Sequence, residues 1–310
     1  MTHQTRVFYR NGSFVPEGYA ALPIYDSAIV TGEVVTEVTR TFRQRPYRLR
    51  AHLERLFAGA AELRITPPLT LEEICAATAT TLAHNLPTEA RDVDWQIIHY
   101  LSRGPAQAFG PLWPEDARPT VLIHCLPLVH RLGRLAPAYE RGVDLIVTPQ
   151  RAIPADIISP QIKSRGRLDY LIARSQAAER CPGATGVLLD SRGFLAEATG
   201  ATIYTVRHGR IATPPGERVL RGVTRALIFD LAARCNLPIE EAELTPEDAK
   251  TADEMFLTST VICLAHARSF EAATFGNGFC GPITRQIRQA FYEEVEVDFN
   301  YQAQRYAARL

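Results

Sequence analysis

The first third of the chain alternates strand-like and helical stretches. RVFYRNGSFV (6–15), VVTEVTRTF (34–42) and WQIIHYLSRG (95–104) are rich in β-branched and aromatic residues and read as strands. The first of them carries an Asn-Gly pair, the strongest short-range signal for a tight hairpin. HLERLFAGAAELRI (52–65) places its apolar residues at helical spacing instead. A further strand, TVLIHCLPLV (120–129), runs into the polar, proline-containing RLGRLAPAYERG (131–142), which reads as an interdomain connection. The pattern predicts a small α+β domain over 1–132 and a larger domain over 133–310.

The second part opens with the strand VDLIVTP and continues to the helix LDYLIARSQAAER (168–180). Two hairpins follow. GVLLDSRGFLAEA turns at Ser191 to Gly193, and TIYTVRHGRIATPP turns at His208 and Gly209. The helix VTRALIFDLAARCNL, the strand EMFLTST and a terminal helix from Pro282 complete the series, proline being well suited to a first helical turn. No internal repeat and no low-complexity segment interrupts it.

Composition narrows the partners. With 310 residues, 46% of them hydrophobic, the chain can bury one or two cores. A formal net charge of zero gives no electrostatic reason to bind nucleic acid or an anionic membrane. The N-terminal MTHQTRVFYRNG lacks the apolar stretch of a secretory signal, and no segment approaches the roughly 18 apolar residues of a membrane span, so a soluble, cytoplasmic protein is expected. The six cysteines are scattered without a CxxC and read as free thiols.

One compositional feature points to chemistry. Of the 34 basic residues only Lys163 and Lys250 are lysine. Where arginine serves almost every other need for positive charge, a surviving lysine is a candidate for what arginine cannot do. The guanidinium stays protonated, whereas a desolvated amine can lose its proton and form an imine with a carbonyl. Composition leaves the two lysines equal; their surroundings differ. Lys163 lies in SPQIKSRGRLDYLIA, just before a helix, and Lys250 lies within a helical stretch where a solvated surface role is expected. Glu197 closes the strand FLAE, where a carboxylate can pair with a cationic ring. Arg55 in HLERL is a fork-shaped phosphate ligand candidate, and Gly222, Val223 and Thr224 in LRGVTR start a helix whose N–H groups favour an anion. Taken singly, each has an ordinary alternative. Glu197 can be a solvated strand end, Arg55 a surface partner of Glu54 or Glu62, and Thr224 a helix cap.

In order and spacing, the motifs YDSAIVTGEVVTEVTR, HLERL, IKSRGRLDYLIA, GVLLDSRGFLAEATGATIYTV, the TPP after the second hairpin, LRGVTR, ADEMFLTST and GNGFCGPIT resemble those of the class IV, or fold-type IV, pyridoxal phosphate aminotransferases. That group includes branched-chain and D-amino acid aminotransferases, R-selective amine transaminases and aminodeoxychorismate lyase. The resemblance runs from about residue 7 to about residue 290. It implies a two-domain α/β (α+β) fold with a mixed, barrel-like sheet in the C-terminal domain, pyridoxal 5'-phosphate as cofactor, and a homodimer with shared sites. It makes Lys163 the imine lysine and Glu197 the partner of the pyridine nitrogen. Arg55, Val223, Thr224 and Thr260 become the phosphate holders. The implied reaction is ping-pong transfer of an amino group between an amino acid or amine and a 2-keto acid, with the freed Lys163 moving the proton. Arg40, Arg103 and Thr36 are the substrate-side candidates, the two arginines for a carboxylate.

The departures from the family pattern all concern substrate. Thr202 replaces an asparagine after Glu197, Leu168 stands where branched-chain enzymes carry a tyrosine, and Thr36 stands where an aromatic residue is common. LSRG (101–104) resembles the D-amino acid branch, yet PAQAFG (105–110) lacks the arginine and histidine that follow there. Two alternatives stay open, a lyase of the aminodeoxychorismate type and a non-catalytic protein that keeps the fold. GNGFCG fits GxGxxG, but it does not follow a first strand and its downstream acids lie in a helix, so a dinucleotide site is not expected. His124 and Cys125 fall on opposite faces of one strand, which argues against a metal set with His130.

Overall fold

The computed structural model describes residues 5–106, 108 and 118–310; parts of PAQAFG fall outside them. The chain divides into two compact units. The first ends at Leu128 and also takes in Ile162–Gly166; the second comprises Val129–Gln161 and Arg167–Leu310.

In the first unit, strands β1 (Val7–Arg10), β2 (Ser13–Pro16), β3 (Val34–Phe42), β4 (Arg45–Pro46), β5 (Trp95–Ser102) and β6 (Thr120–Pro127) form a sheet in the order β2-β1-β6-β5-β3-β4. Every pairing in it is antiparallel. Asn11 and Gly12 make the first hairpin with φ of 45° and 95°, the left-handed pair that this turn needs. Among the described residues of the unit the α-helices are α1 (Ser27–Val30), α2 (Leu49–Glu62) and α3 (Leu71–Asn85). Helix α2 buries His52, Leu53, Leu56, Gly59 and Ala60, one stripe at helical spacing. Helix α3 starts with a capping box between Thr70 and Glu73. Leu53, Leu56, Ile74 and Leu82 of the helices pack with Val35, Trp95, Ile97, Leu101 and Ile123 of the sheet. Each such leucine contributes roughly 1.5–3 kcal/mol of burial.

The second unit begins with helix α4 (Val129–Arg141). The segment expected as a connection is itself a helix. Gly133 and Pro137 disguise it, but Leu132, Gly133, Ala136 and Tyr139 all face inward at helical spacing. Next come β7 (Val143–Arg151), α5 (Leu168–Arg180), β8 (Thr185–Leu189), β9 (Leu195–Ala198), β10 (Thr202–Arg207) and β11 (Arg210–Thr213). They are followed by α6 (Val223–Arg234), β12 (Ile239–Glu241), α7 (Pro246–Lys250), β13 (Glu254–Ser259), β14 (Cys263–Phe270), β15 (Ala273–Thr274), α8 (Pro282–Val295) and α9 (Phe299–Ala307). The nine-stranded sheet runs β12-β11-β10-β13-β14-β7-β8-β9, with β15 on β14. It is mixed: β11/β12, β14/β7 and β7/β8 are parallel and the other pairs antiparallel. The glycine-rich GNGFCG is a short 3-10 turn ahead of α8, whose N-terminal amides at Ile283 and Thr284 donate to Glu254 at 3.0 and 2.8 Å. All six cysteines are free thiols. Among the described residues there is no metal-type cluster, and no helix is long and apolar enough to cross a membrane.

Candidate active site

The loop that ends the first half of the second unit is tied down just before Lys163. The Gln161 side chain donates to the carbonyls of Gly216 and Val219 at 3.0 and 2.9 Å and accepts from the Arg221 amide at 3.0 Å. The next five residues belong to the first unit. There the Thr36 amide donates to the Lys163 carbonyl at 2.8 Å, and Ser164 makes an isolated bridge to Val35. Ile162 packs on the core, and Arg165 lies over the Tyr100 ring at 4.9 Å while donating to its hydroxyl at 2.9 Å. Lys163 is thus fixed at its main chain against the start of β3, and its side chain is half-buried.

Strand β3 is itself pinned one residue further on. Glu37 is fully buried and accepts four hydrogen bonds: Arg55 Nε at 2.8 Å, Arg55 Nη2 at 2.7 Å, the Val38 amide at 2.8 Å and His52 Nδ1 at 3.1 Å. Burial alone raises a carboxyl pKa, but the Arg55 guanidinium and His52 outweigh it and hold Glu37 well below the usual carboxylate range. Because a carboxylate only accepts, the neutral His52 ring carries its proton on Nδ1. Burial lowers the His52 pKa, and the positive charges of Arg55 and Lys163 lower it further against the pull of Glu37. Lys163 therefore acts electrostatically on this cluster. Opposite Glu37 across the sheet, His99 is fully buried, with Nε2 2.9 Å from Thr78 Oγ1. The Thr78 hydroxyl donates to Ile74 O at 2.6 Å, so the imidazole supplies the donor to Thr78. Burial pushes its pKa down to about 3.

In the second unit, Glu197 sits on β9 opposite Leu188 of β8. The buried Tyr170 of α5 hydrogen-bonds to the Glu197 carboxylate, and the Arg167 guanidinium covers the Tyr170 ring at 4.7 Å. Burial first, and the Glu197 charge second, raise the phenol pKa well above its ordinary value, so the hydroxyl stays protonated and donates. Helix α6 begins at Val223 after Gly222, which provides no side-chain cap, and no acidic residue lies in its first turn. A β-carbon at Gly222 would stand 3.7 Å from Thr202 Oγ1, so this helix start and the threonine hydroxyl share one small region. Thr202 is also the register partner of Thr258, two residues before Thr260 in the turn after β13. Unpaired N–H groups and a hydroxyl form a set suited to a phosphate.

The substrate-side candidates each have a partner within the first unit. Arg103 donates to Glu33 at 2.6 Å and to the carbonyls of Arg64 and Leu63 at 3.0 and 2.6 Å, closing the C-terminal end of α2. A substrate carboxylate would have to displace those partners. Arg40 is 1% exposed with its guanidinium 4.6 Å from the Phe42 ring centre, so burial in the strand keeps it from solvent. Thr36 is buried, donating its hydroxyl to His99 O at 2.9 Å; its link to Lys163 is through the main chain. Arg55 pairs with Glu37 through Nε and Nη2. Lys250 is solvent-exposed on α7, 3.4 Å from Glu247. His124 packs edge-on against Phe8 and Tyr100. Sequence reasoning missed His52, Gln161 and Tyr170. The HLER spacing puts His52 and Arg55 one helical turn apart, the only local hint that they share a partner.

The amino-transferase class IV family model matches residues 34–270, a span that contains Glu37, Lys163, Glu197, Val223, Thr224 and Thr260. The chain belongs to the class IV aminotransferases. This aminotransferase is 31% identical over 288 residues to a putative branched-chain-amino-acid aminotransferase of Methanocaldococcus jannaschii, covering 91% of this chain and 94% of the relative. It is 28% identical over 297 residues to the branched-chain-amino-acid aminotransferase of Escherichia coli K12, covering 94% and 93%. A crystal structure of the Escherichia coli enzyme superposes with a TM-score of 0.83 at 27% identity, covering 93% and 94% of the two chains. The branched-chain amino acid aminotransferase of Thermobaculum terrenum, solved in its PLP form, shares the fold with a TM-score of 0.82 at 24% identity, covering 98% of each.

Proposed function

We propose that this class IV aminotransferase uses pyridoxal 5'-phosphate to transfer amino groups between branched-chain amino acids and 2-oxo acids. The observation that carries the substrate class is the similarity, over more than nine-tenths of the chain, to proteins named branched-chain-amino-acid aminotransferases. The residues present suit the cofactor. Lys163 offers an amine on a main chain held at 2.8 Å by Thr36, and Glu197 offers a carboxylate beside the Tyr170 phenol. The uncapped start of α6 offers amide donors. Bound pyridoxal phosphate supplies an electron sink for the carbanion left when the α-proton departs.

The chain's own residues do the rest. Lys163 would hold the cofactor through its Nζ, the amine replacing the carbonyl oxygen, which leaves as water; as a free amine Nζ would serve as the base that moves the substrate α-proton. Glu197 holds the proton on the ring nitrogen by accepting its hydrogen bond. Amides of Val223 and Thr224 and the Thr260 hydroxyl would bind phosphate, and Arg55 would add positive charge. The pinned β3 keeps Lys163 in one place through the cycle, as two half-reactions in succession require. The same inventory would serve the lyase alternative, and Leu168, 71% exposed where branched-chain enzymes carry a tyrosine, keeps it under test.

The purified enzyme is assayed with L-valine, L-leucine, L-isoleucine, D-alanine and 1-phenylethylamine against 2-oxoglutarate and pyruvate. Rapid acceptor-dependent turnover of the L-branched-chain donors is expected. Turnover confined to D-alanine or the amine moves the protein to another branch, and pyruvate release from aminodeoxychorismate without an acceptor identifies a lyase.

A further inference from the structure

Tyr170 has no role in the family pattern read from the sequence, yet the second unit is built to hold it at one place. Gly186 of β8 lies so close to α5 that a β-carbon there would stand 2.8 Å from Ala173 O, seating the helix directly on the strand. Tyr170, Ala173 and Leu188 form one buried cluster across that contact. Leu188 and Glu197 are direct partners in an antiparallel pair, so their side chains leave the sheet on the same face. The phenol packed against Leu188 therefore meets the Glu197 carboxylate, and the Arg167 guanidinium lies over the ring at 4.7 Å.

We propose that Tyr170 is a positioning residue for the ring-nitrogen carboxylate: its hydroxyl donates to one Glu197 oxygen, fixing the orientation in which Glu197 meets the cofactor. The inference rests on the pyridoxal phosphate reading above. A carboxylate at a strand end swings easily about its side-chain torsions, and a donor from a seated helix removes that freedom. The hydrogen bond also withdraws charge from Glu197, setting how strongly it holds the ring proton.

The test is a double-mutant cycle on the holoenzyme with Tyr170→Phe, Glu197→Gln and the pair. Cofactor affinity, the visible circular dichroism of bound cofactor, thermal unfolding and transfer rate are read for all four proteins. Tyr170→Phe is expected to keep pyridoxal phosphate affinity within about threefold, to weaken the visible dichroic band and to slow turnover about tenfold, the size of a hydrogen bond to a charged group. In the Glu197→Gln background, where only a neutral amide oxygen is left to accept from the hydroxyl, the same change is expected to cost distinctly less. Equal losses in both backgrounds, or an unchanged dichroic band, would overturn the proposal. Should Tyr170→Phe fold poorly, Tyr170→His, which keeps a donor, is expected to regain part of the signal; no regain assigns the tyrosine to packing alone. Failure of the wild-type chain to take up pyridoxal phosphate would overturn the functional reading and this inference together, whereas an additive cycle in a cofactor-loaded enzyme removes the inference only.

Discussion

Lys163 and Lys250 carry the same side chain in two different settings. Lys250 ends the short helix α7, in contact with solvent and one exposed carboxylate at 3.4 Å, an arrangement that any cation satisfies. Lys163 lies two residues after a clamped glutamine, is bonded to β3 through its own carbonyl, and sits where its charge helps lower the pKa of buried His52. The contrast is one of surroundings: at Lys163 they fix the main chain and load the neighbouring strand with costly buried polar groups, and at Lys250 they do neither.

The sharpest way to break this contrast is to make the same replacement at both positions. Lys163→Arg keeps the charge and removes the imine-forming amine, so amino transfer should fall by more than about a thousandfold, measured as keto-acid-dependent glutamate formation. The support beneath Lys163 is next. Glu37→Gln leaves the half-buried Arg55 and the buried His52 without their carboxylate and should cost about 3–5 kcal/mol of stability in urea unfolding, as expected for breaking a buried ion pair. Glu197→Gln should leave cofactor bound while slowing turnover roughly ten- to a hundredfold; unchanged turnover would remove Glu197 from the site.

Acid should weaken the first unit in two stages. His99 binds a proton in the unfolded chain near pH 6.5 but in the folded chain only near pH 3, so stability falls as pH drops between those values. Glu37 adds its loss only below its ordinary value of 4.5, where the unfolded carboxylate is protonated first. His99→Gln should therefore flatten the decline of unfolding free energy from pH 6.5 to 4.5 by up to about 1.4 kcal/mol per pH unit. The smallest effect belongs to the control. Lys250→Arg should leave turnover unchanged and move stability by less than about 0.5 kcal/mol, because an exposed i,i+3 pair contributes little.

Local signals in the sequence located much of this. The Asn-Gly turn, strand 34–42, both later hairpins and the helix after Lys163 each follow from nearby residues, and the order of motifs led to the family. Helix α4 did not show, because Gly133 and Pro137 read as breakers while its buried face at Leu132, Ala136 and Tyr139 acts only through packing. Residues 162–166 join the first unit through a bridge to Val35 more than a hundred positions away, which no local pattern encodes. The same holds for Glu37 with His52 and Arg55, and for Tyr170 with Glu197: each pair comes from separate elements whose approach is decided by tertiary packing. The burial of Arg40 and the bonds of Arg103 to the carbonyls of Leu63 and Arg64 are likewise set by the fold and not by residue type.

The central claim is that Lys163 is the amine that carries the cofactor. Borohydride reduction of the enzyme after incubation with pyridoxal phosphate, followed by peptide mapping, tests it directly. A pyridoxyl adduct on the peptide containing Lys163, and none on that containing Lys250, is predicted; an adduct on Lys250 alone, or on neither lysine, would contradict it.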